Sequence, residues 1–176
     1  MPNSLSEKSM SRSKPKIIVL KPIGYVKSKA TEDEFRKNRK NIVSKVILEK
    51  RLTRALLGIE NFSHIYIIYF MHGIQKAERL ELRRHPRRRK DLAKVGVLAI
   101  REPARPNPIG LTIVELLGRK GNVLKVKGLD ALNESPVLDI KPYDHIDVIK
   151  DIKVPDWWFS AHSSYALERQ RTKLEK

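Results

Sequence analysis

The stretch REPARPNPIG, residues 101–110, sets cationic and amide side chains among three prolines. Each proline fixes φ and lacks a backbone N–H, so the stretch fits neither a helix nor a central strand. It predicts a stiff loop that presents Arg101, Arg105 and Asn107 from a fixed backbone, which lowers the entropy lost when a ligand binds. This favours a binding or reaction site, although a structural proline-rich corner with solvated arginines stays open.

A second polar set lies in SPVLDIKPY, residues 135–143. Successive side chains of a strand point to opposite faces, so Asp139, Lys141 and Tyr143 share one face of the strand expected here. The set is a candidate for chemistry, and the alternative is an exposed polar face with an Asp–Lys pair.

A basic block precedes the proline-rich loop. Six of the eight positions in 83–90 are Arg or Lys, and the whole chain has a formal net charge of +17. Such a charge usually indicates a polyanionic partner, and nucleic acid is the default, although charge alone does not choose between DNA, RNA and an anionic membrane. A phosphate-backbone site is favoured over a solvated loop for these side chains: Arg83, Arg84, Arg87, Arg88, Arg89 and Lys90.

Several kinds of site are excluded or weakly supported. The chain has no cysteine, which excludes disulfides and thiol nucleophiles, and it contains neither a GxGxxG nor a Walker A sequence. His64 and His72 are eight positions apart across a strand-like run, so both are expected on one face. A metal pair is conceivable there, but two polar residues bonded to backbone or ligand are favoured and no metal is predicted.

These residues must be positioned by short strands. Strand patterns recur at 44–50, 62–72, 94–101, 111–118, 123–129 and 135–143, and RKGN between two of them predicts a hairpin. The pattern predicts a mainly β chain, a small antiparallel barrel with short helices. We expect a disordered basic tail over 1–15, the barrel over 16–150 and a C-terminal extension over 151–176.

More local expectations follow from spacing. Residues 16–28 predict a strand, a kink and a strand, and 62–72 predict a strand buried on both faces. Thr31 and Glu34 have capping-box spacing in a segment expected to be a loop with some helix. Gly58 is a plausible stop for the helical pattern over 51–59, and the last dozen residues are compatible with a helix.

The longest motifs resemble those of a known family. GVLAIREPARPNPIGLTIVELL followed by GLDALNESPVLDIKPY is similar to the signature of the β-barrel tRNA methyltransferases, and the resemblance covers residues 18–147. It implies a homodimeric barrel that uses S-adenosylmethionine to methylate N6 of threonylcarbamoyl-adenosine at position 37, in the anticodon loop of tRNA. Residues 29–41 do not match the family's Pro-Arg-Gln-Pro-like stretch, and NESP replaces its Asp-Gly-Thr-Pro.

The resemblance also implies roles for individual residues. Asp139 or Asp130 would accept the N6 proton as a general base, and Arg101 or Arg105 would hold the threonyl carboxylate. Tyr69 or Tyr143 would lie beside the cationic methyl donor. The positions matching the reacting centre are Asp139, Arg105, Asn107, Lys141 and Tyr143. The positions matching the cofactor site are His72, Arg101, Leu111, Leu129, Asp130, Ala131 and Leu132.

A non-catalytic RNA-binding barrel is the alternative function, since it would keep the basic block without needing a cofactor. The apolar runs are too short to cross a bilayer and the first 15 residues lack the apolar region of a secretory signal. The sequence therefore predicts a cytoplasmic protein with no membrane contact.

Overall fold

The computed structural model describes residues 17–31, 34–35 and 38–162. Six strands close into an antiparallel barrel, and two short ones form a separate sheet. The barrel strands are β1 (Gly24–Lys27), β2 (Val43–Leu48), β3 (His64–Phe70), β6 (Ile109–Lys120), β7 (Val123–Lys127) and β8 (Pro136–Pro142), and the separate pair is β4 (Arg83–Arg84) and β5 (Val95–Gly96). The prediction of a mainly β fold built on a small antiparallel barrel is confirmed.

The strands follow the order β1-β2-β7-β6-β3-β8 around the barrel, and β8 pairs with β1 to close it. β6 and β7 form the predicted hairpin, in which Lys120 pairs with Val123 across Gly121 and Asn122. Two register shifts interrupt the ladders, one between Leu116 and Gly118 and one between Ile68 and Tyr69. Closure leaves the six strands without a free edge.

The barrel interior is filled by one side-chain face of each strand. Along β3, Ile65, Ile67 and Tyr69 are buried, whereas Tyr66 and Ile68 between them are half-buried and point outward. The prediction that this strand is buried on both faces is therefore wrong, because the outward face of a small barrel has only partial cover. The core cluster contains Val26, Val46, Leu48, Leu56, Ile65, Ile67, Tyr69, Val114, Leu124, Val126, Leu129, Ala131 and Val137.

Two features seal the ends of this core. At one end, the guanidinium of Arg119 donates to the backbone oxygens of Thr53 and Leu56 and pairs with Glu60 at 3.1 Å. At the other end, the ring of Tyr69 lies directly on Gly110, where a Cβ would collide with it. Glycine is thus required at position 110 by the close approach of the ring.

Two strand predictions are corrected by the structure. Within 16–28 only Gly24–Lys27 forms a strand, because residues 17–23 run without regular structure. Within 94–101 the strand is only Val95–Gly96, and Val97–Ala99 turns into a 3₁₀ helix that buries Val97. An apolar run of this length does not distinguish a strand from a buried turn.

The helical predictions fare better. Thr31 and Glu34 form a capping box, in which the Thr31 N–H donates to Glu34 Oε2 at 2.7 Å and the Glu34 N–H donates to Thr31 Oγ1 at 3.3 Å. A 3₁₀ helix at Lys50–Leu56 ends just before Gly58, which has φ of 87°.

Further short helical segments lie at Arg39–Asn41, Ile59–Asn61, Ala77–Leu80, Pro86–Arg88, His145–Asp147 and Asp156–Ala161. The predicted disordered tail and C-terminal helix lie outside the described residues. In the part of the chain that is described, no helix has the length and apolar character needed to cross a membrane.

Candidate active site

The outward faces of β6, β3 and β8 form a continuous surface, which we call the reaction wall. Ile68 in β3 lies opposite Leu111 of β6 on one side and opposite Asp139 of β8 on the other. In the next outward row, Tyr66 stands between Ile113 and Lys141. The predicted cofactor residue Leu111 and the predicted base Asp139 are thus brought into one cross-strand row.

Asp139 is held at both carboxylate oxygens. Its Oδ1 accepts the backbone N–H of Ile140 at 2.8 Å, and its Oδ2 lies 2.9 Å from Nζ of Lys141. A carboxylate offers about four lone-pair sites, so these two contacts leave acceptor positions free. The carboxylate is fixed in orientation yet half-exposed beside the apolar row, and it can accept a further hydrogen bond from a ligand.

Tyr143 lies at the far end of the reaction wall. Its ring meets the edge of Tyr66 at a centroid distance of 5.4 Å, and that of His64 at 6.4 Å. Burial, and then the nearby charge of Asp147, raise the pKa of Tyr66 above its usual value. The sequence analysis did not predict Tyr66 as a site residue. The available signal was strand alternation, which puts Tyr66 on the same outward face as Ile68, two residues later in β3.

His72 and the Leu129–Leu132 turn, five of the seven predicted cofactor residues, lie at the barrel rim, where β3 ends. His72 Nδ1 lies 3.4 Å from Ser135 Oγ, and the N–H of Ser135 donates to the carbonyl oxygen of Leu132 at 3.2 Å. Leu132 is also adjacent to Gly73, whose Cβ position would lie 3.8 Å from its Cδ1. The rim therefore connects His72 to the Leu129–Leu132 turn through Ser135, and the role of these residues in binding a cofactor stays a prediction.

The Leu129–Leu132 turn is held by two buried side chains and by contacts from Tyr69 and Arg39. Leu129 and Ala131 are buried in the core, so their backbone rather than their side chains can face a ligand. The hydroxyl of Tyr69 donates to the carbonyl oxygen of Asp130, and Arg39 pairs with the carboxylate of Asp130 at 2.5 Å. Arg39 belongs to the segment that lacks the family's motif and is a further residue that sequence reasoning missed.

Of the two tyrosines predicted as alternatives beside the methyl donor, Tyr69 is the buried one. Its ring is 4% exposed, and its hydroxyl approaches Thr112 at 3.5 Å in addition to Asp130. Burial raises its pKa to about 12, with the Thr112 hydrogen bond acting in the opposite direction. A ring buried in the barrel cannot lie beside a cationic methyl donor, which leaves Tyr143 as the predicted aromatic neighbour.

The proline-rich loop is fixed at two buried positions, Ala104 and Pro108. The N–H of Met71 donates to the Pro108 carbonyl oxygen at 2.8 Å, which ties the loop to the end of β3. Arg105 is half-buried and Asn107 is exposed between these anchors.

Arg101 is also exposed, at the start of the loop. Across the described residues, no hydrogen bond or ion pair links it to His72, Leu111 or the Leu129–Leu132 turn. Its place in the cofactor site stays a prediction.

The basic block divides into two groups. Arg84 donates to the Glu78 carbonyl oxygen at 2.7 Å and pairs with Glu81 at 3.3 Å. Arg89 pairs with Asp91 and donates to the Ser160 carbonyl oxygen, so it attaches the Asp156–Ala161 helix.

The other members of the block are exposed, and none has an ion pair among the described residues: Arg83, Arg87, Arg88 and Lys90. They remain available to an anionic partner.

The two histidines lie at opposite ends of β3, and each has a serine neighbour. Ser63 Oγ lies 3.0 Å from His64 Nδ1, and Ser135 Oγ lies 3.4 Å from His72 Nδ1. Throughout the described ranges, no group of three His, Cys, Asp or Glu residues is arranged to hold a metal. Each histidine thus lies beside a serine hydroxyl, whereas bonds to backbone or ligand were expected.

A known protein family matches most of the chain. A model of the tRNA-methyltransferase O N-terminal domain matches residues 32–148. The chain belongs to the tRNA-methyltransferase O family. The membership predicted from the loop and β8 motifs is confirmed.

Two kinds of relative are similar to this chain in sequence. A probable S-adenosyl-L-methionine-binding protein of Methanothermobacter thermautotrophicus is 44% identical over 129 residues, covering 72% of this chain and 90% of that protein. The tRNA (adenine(37)-N6)-methyltransferase of Homo sapiens is 33% identical over 134 residues, covering 72% of this chain and 30% of that protein. At the level of the family, the predicted methyltransferase activity and cofactor are therefore confirmed.

A solved structure shares the fold. The crystal structure of TrmO from Pseudomonas aeruginosa superposes with a TM-score of 0.60 at 28% identity, covering 78% of this chain and 61% of that chain. The chain thus spans less than two thirds of that protein.

Proposed function

We propose that this chain transfers a methyl group from S-adenosylmethionine to N6 of the adenosine at position 37 of tRNA. The observation that supports the proposal is the row Leu111–Ile68–Asp139, in which the predicted cofactor residue and the predicted base flank the same residue of β3. Methyl transfer from a sulfonium is an in-line displacement, so fixed positioning supplies much of the rate.

The rim offers what an adenosyl cofactor needs, namely an apolar surface with a few polar groups. The side chain of Leu132 is 40% exposed, and its backbone N–H makes no hydrogen bond within the described residues. Asp130, oriented by Arg39, adds a carboxylate that suits either a ribose hydroxyl or a cationic centre. The bound cofactor would supply an electrophilic methyl group on sulfur, and His72 and Leu111 would complete its site.

Asp139 acts as the general base in this proposal. The N6 nitrogen of a ureido-substituted adenine is a weak nucleophile until its proton leaves, and Asp139 accepts that proton. Lys141 holds the carboxylate in place, and the contribution of such a base is roughly 10²–10⁴-fold. Tyr143, packed against Tyr66, offers an aromatic surface to a base splayed out of the anticodon loop.

The acceptor is N6-threonylcarbamoyl-adenosine, and Arg105 binds its threonyl carboxylate. Arg105 stands on the loop fixed by Ala104 and Pro108, and no carboxylate pairs with it among the described residues. A planar guanidinium can bind a carboxylate through two parallel hydrogen bonds. Asn107 in the same loop would hydrogen-bond the ureido group.

The active form is a homodimer that covers the apolar part of the reaction wall. Leu111 and Ile113 are 55% and 45% exposed and adjoin Ile109 on the outward face of β6. Exposed apolar patches of this kind mark interaction sites. A second copy on this surface would exclude water from the neighbourhood of Asp139.

Sedimentation equilibrium tests the dimer. Ile113→Lys should yield monomers, whereas Leu57→Lys, a matched change at an 83% exposed leucine, should not. A wild-type monomer at micromolar concentration would contradict the dimer.

The exposed members of the basic block, Arg83, Arg87, Arg88 and Lys90, contact tRNA phosphates in this proposal. The substrate and the sequence pattern agree with a cytoplasmic location.

The direct test combines calorimetry and mass spectrometry. Purified protein is titrated with S-adenosylmethionine, then incubated with it and with tRNA that carries or lacks threonylcarbamoyl. We expect saturable heat and a single methyl group on the modified adenosine at position 37. Tight tRNA binding with no heat at millimolar cofactor would favour the non-catalytic RNA-binding barrel.

A further inference from the structure

A row of positive charges crosses the wall opposite the reaction wall. On the outward faces of β1, β2 and β7, Lys27 lies directly opposite Lys45, and Lys45 lies directly opposite Lys125. We call these three residues the lysine row. Directly opposed side chains on neighbouring antiparallel strands have Cβ atoms about 5 Å apart. Three ammonium groups are thus lined up across the strands at one level of the barrel.

The row is largely unneutralised. Lys27 has an exposed contact with Glu134 at 3.4 Å, but no carboxylate pairs with Lys45 or Lys125 within the described ranges. The neighbouring Lys127, by contrast, pairs with Glu115 at 3.5 Å. Like charges placed directly opposite one another destabilise an antiparallel pair.

The stability of the fold does not account for the row. Lysines often protect exposed sheet edges against association, yet these three strands lie within a closed barrel and have no free edge. An anion lying over the row would remove the repulsion. The row is therefore better explained by a ligand than by the barrel itself.

The row continues into a groove on the same side of the barrel. Gly118 lies opposite Lys125 at the register shift of β6, and its φ of 152° with no side chain leaves the wall open there. The groove has a volume of ≈ 380 Å³ and is lined by Lys45, Gly118, Arg119, Lys120, Val123 and Lys125. Arg119 is occupied by Glu60 and by backbone oxygens, but no carboxylate pairs with Lys120 among the described residues.

The row starts close to the candidate cofactor site. Lys27 is the last residue of β1, and Glu134, its contact, follows the Leu129–Leu132 turn by two residues. From there the lysines lead around the barrel at one level and reach the groove at Lys125. A polyanion that passes this end of the barrel can therefore follow the row around the surface and into the groove.

We propose that the lysine row and its groove bind the phosphate backbone of the tRNA whose anticodon loop is at the reaction wall. The inference rests on the proposed function, and it adds a second contact surface that is separate from the basic block at 83–90. An open, extended line of ammonium groups suits a polyanion, because phosphate contacts position a nucleic acid without reading its sequence. A small anion would find no enclosing donors on this open surface.

The test compares two double variants that remove the same charge. Lys45→Gln/Lys125→Gln alters the row, and Lys50→Gln/Lys153→Gln removes two exposed lysines elsewhere. The affinity for tRNA is measured at several salt concentrations. Each lost phosphate contact lowers the slope of log K against log salt by about 0.7–0.9, so the row variant should lose about 1.4–1.8 and the control almost nothing.

Two further measurements keep the outcomes distinct. The row variant should melt no lower than wild type, since repulsion is relieved, and it should bind S-adenosylmethionine normally. A slope equal to that of the control would overturn the inference. The inference would also be overturned if wild type bound phosphatidylserine vesicles, the row variant did not, and the two proteins had the same salt slope of tRNA binding. If wild type binds no cofactor but the row variant still has a smaller salt slope of tRNA binding, the proposed function is wrong and the lysine row is still an RNA-binding surface.

Discussion

The reaction wall and the wall that carries the lysine row share one core but present opposite chemistry outward. Inward, both contribute fully buried aliphatic residues, such as Ile67 on β3 and Val46 on β2. Outward, the reaction wall shows apolar β6 residues beside Asp139, whereas the opposite wall shows Lys45 and Lys125. Strand alternation keeps these two sets independent, because each outward side chain can change without disturbing the core.

The difference teaches where function resides in this small barrel. The inward positions make the closed frame. In the proposals made above, the outward positions on different walls would supply a reaction surface and an anion-binding surface. The rim is the exception, since inward-pointing Tyr69 reaches up to bind Asp130 in the candidate cofactor turn. On the walls, substitutions of outward residues should therefore change function without changing stability. At the rim, substitution of Tyr69 should change both.

The largest effect on stability is expected from the shared core. Ile67→Ala removes a fully buried side chain, and such truncations cost about 2–5 kcal/mol. Ile47→Ala, at a half-buried outward position of β2, should cost well under that. Urea unfolding of the two variants checks the comparison. Equal losses would contradict the assignment of inward and outward faces.

The coupling at the rim predicts an alkaline loss of stability. The pKa of Tyr69 is raised to about 12, against about 10 in an unfolded chain, so the unfolded state releases this proton first. The stabilisation from the neutral phenol is complete below pH 10 and is lost between pH 10 and 12. It amounts to about 2–3 kcal/mol.

Unfolding free energies measured from pH 8 to pH 11 for wild type and Tyr69→Phe isolate this effect, because the other groups are common to both proteins. Tyr69→Phe should be less stable at pH 8, since it loses the hydroxyl's hydrogen bonds, and its stability should fall less steeply above pH 10. Parallel curves would show that the buried hydroxyl does not titrate as the structure indicates.

The smallest effect concerns the division of the basic block. Arg87→Gln/Arg88→Gln should reduce the salt slope of tRNA binding by about 0.7–0.9 per lost contact and leave the melting temperature unchanged. Arg89→Gln should instead lower the melting temperature, because Arg89 holds Asp91 and the Ser160 carbonyl oxygen. If Arg89→Gln reduced the slope as much as the double variant did, the distinction between exposed and internally bound arginines would fail.

Local patterns were enough to predict much of the fold. The β6–β7 hairpin follows from Gly121 and Asn122 between two alternating runs, and the capping box of Thr31 and Glu34 follows from their spacing. The strand expected at 94–101 was wrong because a short apolar run fits a 3₁₀ turn equally well.

The arrangement of the site depended on information that is not local. The row Leu111–Ile68–Asp139 requires the register of β3 against β8, and that register shifts beside Ile68. The lysine row likewise requires three strands from distant parts of the chain to be aligned. The motifs predicted candidate site residues, whereas closure of the barrel determines which of those candidates lie side by side.

The central claim, that Asp139 on the reaction wall is the general base of methyl transfer, is tested most directly by single-turnover kinetics. Asp139→Asn keeps the shape of the side chain and removes its basicity, and Glu115→Gln on β6 is the matched control. With saturating cofactor and threonylcarbamoylated tRNA, Asp139→Asn should slow methyl transfer roughly 10²–10⁴-fold while tRNA and cofactor affinities and the melting temperature stay close to wild type. A near wild-type rate would contradict the account and leave Asp139 as a structural partner of Lys141.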